Sequence, residues 1–525
     1  MTLDPRGTLR ARFQPARDGD AAMFRRLGVG ARRCDLGDEG LYLAEEIVAA
    51  DRWLGGSDPE ALGILVLALL IAQRQGSSRL PLDPAPKGQL RQLVAEILRV
   101  AKLDDSPARI VKRITNLTGH PSFQSVIGVG DARLPLIVED GCLYTERSRW
   151  LEQRVAERLA ARLAVTRPLD PAVLAELAAR PGARPLSDEQ LRAVELALSS
   201  SLAVVTGGPG TGKTLVAAAI VRGFARLGVP PIQIALAAQT GKAANRLTEV
   251  IDEQLRAVAS PSDADRALLA SPPAAQTLHR LLGYRGDGFA HHAKSPLPIG
   301  ALIVDEASMV DLELMDALLD ALPEQVPLVL VGDAHQLPAI DAGQILADLA
   351  DPSTGARVGT LEHSYRMDAS DPNGRAVFEA ARAVHTGDVH KLVDKHGLAT
   401  PRTPGTLHWA GCEWVDPGDR PLETAHAVAA ALWHHFDGPR AQRIANETVF
   451  TFEDGRVAAT QHAHLEALWK LLTRARLLTV TRGLPTGSLA LNAHVHELAL
   501  ARMTVSQSPD FVPGEPVMIT ANDYQ

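Results

Sequence analysis

The sequence has few cysteines, few aromatic residues and no excess of basic charge. Of its 525 residues only three are cysteine, at positions 34, 142 and 412. They lie too far apart in the chain to indicate a metal knuckle or a disulfide framework. The N-terminal segment also lacks the apolar core of a signal peptide. These features are typical of the reducing cytosol, and we expect the protein to be cytoplasmic.

The charge and the apolar runs exclude two further classes of protein. The formal net charge is −8 at pH 7, so the chain has no general attraction for polyanions. If DNA is a partner, individually placed Lys and Arg must bind its phosphates. The longest apolar run, residues 61–72, is too short to cross a bilayer. We therefore predict a buried helix there and no membrane partner.

The hydrophobic pattern changes along the chain. Residues 1–165 carry apolar residues at helical spacing and predict a mainly helical domain. From about 186 to 350, short β-rich runs alternate with helical segments: "LAVVTG", "IQIALAA", "ALIVDE" and "PLVLVGD". Such alternation predicts an α/β domain with a parallel sheet covered by helices.

A phosphate-binding loop follows the first of these strands. Residues 207–214 read "GGPGTGKT" and fit the P-loop pattern between a strand and a helix. A chance glycine-rich turn is the alternative, and the strand-loop-helix context disfavours it. The expected cofactors are ATP and Mg²⁺, with Lys213 on the β- and γ-phosphates and Thr214 on the metal. The predicted cofactor-binding residues of the loop are Gly207, Gly208, Pro209, Gly210, Thr211, Gly212, Lys213 and Thr214.

Two later strand ends carry polar candidates. Asp305 and Glu306 end the strand "ALIVD", where Asp305 is expected to hold Mg²⁺ and Glu306 to act as the base for the attacking water. Such pairs are often only solvated strand ends, but their position downstream of a phosphate loop favours the catalytic role. Gln336, in "GDAHQLPAI", is placed to sense the γ-phosphate, although a lone loop Gln is usually a surface residue.

Together these motifs resemble those of superfamily 1 helicases. "GGPGTGKT", "TGKAANRL", "TLHRLLG", "VDEAS", "GDAHQLPAI" and "SYR" occur in that order. The pair "TGKAANRL" and "TLHRLLG" looks like the RecD branch, and residues 143–160 are similar to the segment before the motor in the alpha (RecD) subunit of exodeoxyribonuclease V. This resemblance implies a P-loop NTPase fold with RecA-like parallel-sheet motor domains behind a mainly helical N-terminal domain.

The resemblance also implies a function and partners. It implies an ATP-dependent 5′–3′ DNA helicase that acts in double-strand break repair and recombination. The implied partners are DNA, as a single-stranded track and duplex ends, and RecB-like helicase-nuclease and RecC-like recognition subunits in a heterotrimer. By the same resemblance Gln190 reads the adenine, and Arg366 of "SYR" reaches the γ-phosphate from the second motor domain. The alternative for Arg366 is a surface arginine.

The resemblance also places a DNA track beside the ATP site. Thr240, Gly241 and Lys242 match one DNA-contact motif, in which small residues let the backbone approach phosphates and the Lys adds charge. The family usually has Pro where this chain has Gln239. A second DNA-contact motif contains Thr277 and His279, and the alternative for His279 is a half-buried helix-cap histidine.

The expected domains are 1–165 (helical assembly domain), 166–356 (first motor domain), 357–510 (second motor domain, incomplete) and 511–525 (the start of a small inserted barrel). Two later motifs of the family, "HKSQG" and the arginine finger "LTRAR", are expected after that barrel. We find no "HKSQG", so the chain is expected to be truncated, to bind ATP and to unwind little DNA alone.

The motifs are also compatible with other kinds of protein, and three of these differ in what the sequence supports. A stand-alone RecD-like helicase and a nucleotide-binding assembly subunit stay open. A relaxase-linked helicase would need a nucleophilic Tyr and a His triad near the N-terminus, and this sequence shows neither.

The "TRAR" at 473–476 resembles the arginine finger but precedes the barrel. We therefore expect Arg474 and Arg476 at a helix end that leads into a strand "LLTV".

Overall fold

The computed structural model describes most of the chain. Described are residues 23–24, 26–28, 36–119, 126–286, 288–336, 339, 342–365, 370–388, 401–436, 438–447, 450–453, 456–503 and 510–515. The chain divides into two compact units, Met1–Arg366 and Met367–Gln525.

The N-terminal part of the first unit is a helical cluster with a small sheet. Its elements in chain order are α1 (Asp38–Trp53), α2 (Pro59–Arg74), β1 (Leu80–Pro81), α3 (Gln89–Ala101), α4 (Pro107–Gly119), β2 (Ile127–Val129), β3 (Leu136–Glu139), β4 (Cys142–Thr145) and α5 (Glu146–Leu163). The prediction of a mainly helical region is confirmed, but it omitted the four-stranded sheet of order β1-β4-β3-β2.

Helix α2 forms the centre of this region. The Asp58 side chain caps its N-terminus, accepting a hydrogen bond from the Ala61 amide at 3.1 Å, and Pro59 occupies the first turn. All of residues 61–72 are buried, because the helix is apolar on every face and is surrounded by other elements. The predicted buried helix is confirmed. Among the described residues, no helix is both long and apolar enough to cross a bilayer.

A parallel sheet organises the rest of the first unit. Its elements are α6 (Pro171–Ala179), α7 (Asp188–Leu198), β5 (Leu202–Gly207), α8 (Lys213–Arg226), β6 (Ile234–Ala238), α9 (Gly241–Arg256), α10 (Asp263–Ala270), β7 (Ala275–Thr277), α11 (Leu278–Leu281), β8 (Ala301–Asp305), α12 (Leu312–Ala321), β9 (Leu328–Gly332), α13 (Ile345–Ala350) and β10 (Val358–Leu361). The strand order is β10-β5-β9-β8-β6-β7, and every pairing is parallel.

This sheet confirms the predicted α/β fold class. The four predicted strands are β5, β6, β8 and β9, and they are fully or largely buried, as parallel strands covered by helices must be. The structure adds two strands that were not predicted, β7 and β10. Strand β10 lies beyond the predicted boundary at 357, yet it pairs with β5 through the register Val358↔Val204, so it completes the first sheet.

The second unit is mainly helical in its described part. Its elements are α14 (Pro372–His385), α15 (Pro421–His435), α16 (Gly438–Glu447), the antiparallel pair β11 (Phe452–Glu453) and β12 (Arg456–Val457), α17 (His462–Thr473) and α18 (Ser488–Leu500). No parallel sheet occurs among its described residues, and a second RecA-like sheet stays a prediction. The strand predicted at 516–520 lies outside the described residues.

The "TRAR" stretch occupies the helix end that the sequence predicted. Helix α17 ends at Thr473, and Arg474 is its C-cap. The predicted strand "LLTV" is wrong, because residues 477–480 form no strand and Leu478 and Val480 are exposed. A β-rich composition favours a strand only where neighbouring strands and side chains support it, and none of the described strands pairs with this segment.

Candidate ATP site and DNA track

The phosphate loop joins β5 to α8. Gly210 and Gly212 have φ values of +78° and +86°, a region that L-residues with side chains avoid. A Cβ at Gly207 would lie 2.7 Å from the Leu361 carbonyl oxygen on β10. The glycines are therefore required by the turn and by the close approach of two backbones.

The Lys213 side chain folds back onto this loop. Its Nζ donates hydrogen bonds to the carbonyl oxygens of Gly207 at 2.7 Å and Gly208 at 3.0 Å. Thr211 Oγ1 donates to the Gly208 carbonyl at 2.9 Å. Lys213 and Thr214 are also the first residues of α8, so the positive end of the helix and the ammonium group point to the same place. This arrangement suits a polyphosphate.

Gln190 binds the phosphate loop from a buried position. It is fully buried, and its Nε2 donates to the Thr211 carbonyl at 3.0 Å. Its Oε1 accepts from the Ser187 amide at 3.1 Å, which completes a capping box at the start of α7. Both ends of the amide are thus engaged within the protein, and the adenine contact predicted for Gln190 stays a prediction.

The carboxylate pair ends β8 at the same edge of the sheet. Asp305 is 9% exposed, and burial raises the pKa of its carboxyl to about 6. Glu306 raises this pKa further, whereas the Glu306 amide, which donates to Asp305 Oδ1 at 2.9 Å, and the Lys213 ammonium lower it. The structure therefore brings Asp305 within electrostatic reach of Lys213. Glu306 has φ +52°, an uncommon value for a non-glycine residue at a strand end.

A second buried acid, Asp333, follows β9. It is 4% exposed, and its Oδ2 accepts from Gln336 Nε2 at 3.1 Å while its Oδ1 accepts from the His335 amide at 3.1 Å. The predicted sensor Gln336 is itself exposed and is oriented by Asp333. The sequence analysis missed Asp333, although the "GD" that ends an apolar strand is a usable signal.

The segment after β10 contacts the phosphate loop. The Tyr365 amide donates to the Gly210 carbonyl at 2.8 Å, and Ser364 Oγ donates to the Pro209 carbonyl at 3.0 Å. The Arg184 guanidinium lies over the Tyr365 ring, 4.0 Å from its centroid. Arg184 and Tyr365 were not predicted as site residues, and no pattern near Arg184 indicates its role. Arg366, which was predicted to reach the γ-phosphate, lies outside the described residues.

The predicted DNA contacts follow the carboxyl ends of β6 and β7, of which β6 is the neighbour of β8. Strands β6 and β7 are neighbours with the register Ala238↔Thr277, so the residues that follow them come together. Thr240 and Thr277 cap the helices α9 and α11, their hydroxyl oxygens accepting from backbone amides at 3.2 and 3.3 Å. Gly241 and Lys242 are exposed in the first turn of α9, where a phosphate could approach the helix N-terminus.

His279 is exposed and belongs to an aromatic cluster. Its ring centroid lies 5.5 Å from that of Tyr284 and 6.0 Å from that of Phe289. An open cavity of about 600 Å³ adjoins the cluster and is lined in part by Phe289, Arg285 and His291. Aromatic and cationic side chains around an open cavity are suited to unstacked bases.

Gln239, next to the DNA-contact residue Thr240, and Ser308, shortly after the carboxylate pair, each carry a buried polar atom. Gln239 Oε1 and Ser308 Oγ have no hydrogen-bond partner within the part of the chain that the structure describes. Gln239 directly follows β6, whose Ala238 is in register with Asp305 on β8. A buried acceptor of this kind usually has a partner in the working protein, and Gln239 lies in the chain between β6 and the DNA-contact residues that begin at Thr240.

Comparisons with known proteins agree with the motifs. An AAA domain family model matches residues 190–342. The RecBCD enzyme subunit RecD of Mycobacterium tuberculosis is 36% identical over 403 residues, which are 74% of this chain and 61% of that protein. The corresponding subunit of Mycolicibacterium smegmatis is 34% identical over 368 residues, 67% of this chain and 59% of that protein.

A further relative is the ATP-dependent RecD2 DNA helicase of Deinococcus radiodurans. It is 32% identical over 342 residues, 64% of this chain and 42% of that protein. The chain thus spans about three fifths of the length of the mycobacterial relatives. The resemblance to RecD that the motifs indicate is confirmed.

Proposed function

We propose that this chain is the RecD-type motor of an exodeoxyribonuclease V-like complex, an ATP-dependent 5′–3′ DNA helicase in double-strand break repair and recombination. One observation carries the proposal: Lys213, at the start of α8, and the buried Asp305, at the end of β8, both follow strands of one parallel sheet, and the Lys213 charge reaches the Asp305 carboxyl. That is the arrangement that phosphoryl transfer needs.

The residues present fit ATP and Mg²⁺. The Lys213 amine donates to two neutral loop carbonyls, and a charged phosphate would be a stronger acceptor for it. Thr214 and Asp305 offer the oxygen ligands that Mg²⁺ prefers. A bound dication would also stabilise the ionised carboxylate of Asp305 and so lower its pKa, which burial raises. When bound, ATP supplies the γ-phosphoryl group and Mg²⁺ neutralises developing charge.

The protein's own residues would then have distinct roles. Lys213 and the loop amides would bind the phosphates, and Thr214 and Asp305 would hold the metal. Glu306 would orient the attacking water and accept its proton, while Gln336, held by Asp333, would respond to the γ-phosphate. Gln190 would keep the loop in its binding conformation. Lys242, Thr240 and the His279 cluster would hold single-stranded DNA near by.

The experiment uses a complex reconstituted with the RecB-like and RecC-like subunits, in which the RecB-like subunit's own ATP site has been inactivated. We expect Lys213→Ala to lower DNA-stimulated ATP hydrolysis and unwinding by between about a hundredfold and a thousandfold, because it removes a charge contact to the phosphates. Lys87→Ala, an exposed lysine of the N-terminal part, is the matched control. Full activity of Lys213→Ala would exclude the motor and favour a nucleotide-binding assembly subunit.

A second candidate is a RecD-like helicase that works without such partners. It is favoured by the Deinococcus relative, whose name, ATP-dependent RecD2 DNA helicase, mentions no RecBCD complex. Co-expression with RecB-like and RecC-like subunits distinguishes the two, because the first proposal expects a stable heterotrimer on size-exclusion chromatography. Unwinding by the chain alone, with no heterotrimer, would favour the second.

A further inference from the structure

The N-terminal loop, residues 75–79, contacts the sensor loop, which comprises residues 333–336, 339 and 342–344. We propose that Gly76 is a positioning residue through which the N-terminal part holds the sensor loop in place for ATP hydrolysis. This inference rests on the proposed ATPase function and adds a route by which the N-terminal part acts on it.

The contact is made by backbone atoms. The Gly343 amide donates a hydrogen bond to the Gly76 carbonyl at 3.1 Å. Gly76 is buried, and a Cβ built on it would lie 3.7 Å from the Ala339 carbonyl oxygen. Their φ values of +91° at Gly76 and +120° at Gly343 suit glycine. There is room for a Cβ at Gly76, and because the position is buried next to the Ala339 carbonyl, we expect a longer side chain to press on the sensor loop.

The N-terminal loop is itself held firmly. Helix α2 ends in a Schellman motif, in which the amides of Ser77 and Gly76 donate to the carbonyls of Ala72 and Gln73, both at 3.0 Å. Ser78 Oγ then donates to Glu152 Oε2 at 2.6 Å. Because Glu152 lies on α5, which packs along α12, the N-terminal loop is fixed to the same framework as the sheet.

The sensor loop is held from its other side by α12. The Leu312 amide, at the start of α12, donates to the Ala342 carbonyl at 3.0 Å, and a Cβ on Gly343 would lie 3.0 Å from Leu312 Cβ. Helix α12 follows the carboxylate pair in the chain. Residues 342 and 343 are therefore clamped between the N-terminal loop and the helix that leads away from Glu306.

Charges of the N-terminal part also reach the helix that follows the sensor loop. Burial raises the pKa of Asp348 on α13, the Glu152 carboxylate raises it further and the Arg79 guanidinium opposes both. Arg79 is oriented by Tyr144, to whose hydroxyl it donates at 3.0 Å. The hydrogen bond at Gly76 is thus accompanied by an electrostatic interaction of Arg79 and Glu152 with Asp348.

A matched pair of variants tests the proposal. Gly55, at the end of α1, has φ +97° and the same Schellman motif, with the amides of Gly56 and Gly55 donating to Asp51 and Arg52. It is exposed, and a Cβ there would have no atom within 4 Å. Leucine at either position therefore carries the same backbone strain, but only Gly76→Leu pushes on the sensor loop.

In the reconstituted complex described above, we expect Gly76→Leu to lower kcat for ATP hydrolysis by between about twofold and thirtyfold. The Kd for ATP should stay unchanged, because the phosphate loop is not part of the contact. Gly55→Leu should leave kcat unchanged, although it carries the same backbone strain. Equal kcat values for the two variants, or a change confined to KM, would overturn the proposal.

Hydrogen exchange on the unaltered chain gives a second test that needs no variant to fold. Addition of Mg²⁺ and a non-hydrolysable ATP analogue should slow amide exchange at residues 75–79 as well as at 207–214, while α4 should not respond. Slower exchange at 207–214 with no change at 75–79 would contradict the positioning role. No change at either segment would contradict the ATP site itself, and the inference with it.

Discussion

At the scale of single residues, a buried ion-pair network away from the ATP site centres on Asp265. This carboxylate is fully buried and accepts hydrogen bonds from Arg222 Nε at 2.8 Å and Arg226 Nη2 at 2.7 Å. Burial alone would raise the pKa of Asp265, but these two arginines hold it well below its usual range. Both arginines lie on α8, the helix that carries Lys213, so the acid ties that helix to α10.

Asp265→Asn should therefore lower the free energy of unfolding by about 3 kcal/mol at pH 7, because it leaves buried arginines without their counter-charge. Asp263→Asn is the control on the same helix. Its carboxylate pairs with Arg266 but is 98% exposed, and its loss should change stability little. Urea unfolding of the two variants measures the difference, and equal destabilisation would contradict the assignment.

The same residue predicts a pH dependence. The folded-state pKa of Asp265 lies below the value of about 3.9 for an unperturbed Asp, so its contribution is present above that value and is lost as the pH falls below it. The difference in unfolding free energy between the unaltered protein and Asp265→Asn should be constant from pH 7 to about pH 5 and shrink below about pH 4. A difference that grows on acidification would contradict this.

Residues were predictable where a motif fixed both their type and their place. Lys213 and Asp305 follow strands in recognisable patterns, and the sheet brings them to one edge. Arg184 and Gln239 could not be predicted as site residues in this way. Arg184 is noticed only through its contact with the Tyr365 ring, and Gln239 only through a buried side-chain oxygen that has no partner among the described residues. Contacts between segments distant in the chain leave no local pattern.

At the scale of elements, α5 joins the N-terminal part to the sheet through α12. Arg154 and Arg158 on α5 pair with Asp316 and Asp320 on α12. Arg162 is 2% exposed and donates to carbonyl oxygens just after α12, at 2.6 Å to Leu322, 2.9 Å to Pro323 and 2.8 Å to Val326. Its guanidinium thus binds the C-cap carbonyl of Leu322, which the end of the helix leaves without an intrahelical partner, and two carbonyls of the turn that follows.

Arg162→Met should cost about 3 kcal/mol of unfolding free energy, since it removes the donors from several buried carbonyls. Arg147→Met on the same helix removes a pair with Glu313 whose side chains are 73% and 63% exposed, and it should have little effect. Thermal unfolding of both variants at neutral pH checks this. A Tm for Arg162→Met equal to that of Arg147→Met would exclude the capping role.

The two strands of the parallel sheet that the sequence missed share a physical reason. Strands β5, β6, β8 and β9 are β-rich runs that a parallel sheet buries on both faces, so their composition reveals them. Strand β7 has three half-buried residues, "AQT", and β10 contains a glycine, so neither has a strong hydrophobic pattern. Each is a strand because a longer neighbour supplies its hydrogen bonds.

At the scale of the whole molecule, an acidic chain is proposed to bind DNA. The net charge of −8 means that long-range electrostatics do not attract a polyanion. The proposed contacts are instead gathered after β6 and β7, at the N-termini of α9 and α11. Binding that depends on a few placed groups should respond to the loss of one lysine more than to the overall charge.

Lys242→Ala should therefore weaken binding of single-stranded DNA and reduce the slope of log K against log salt by about 0.7, the value for one phosphate contact on a single strand. Lys87→Ala changes the net charge equally but lies in the N-terminal part, and it should leave both quantities unchanged. Fluorescence anisotropy of a labelled oligonucleotide over a series of salt concentrations measures the two slopes. Equal effects of the two variants would show that net charge, rather than the strand-end track, governs DNA binding.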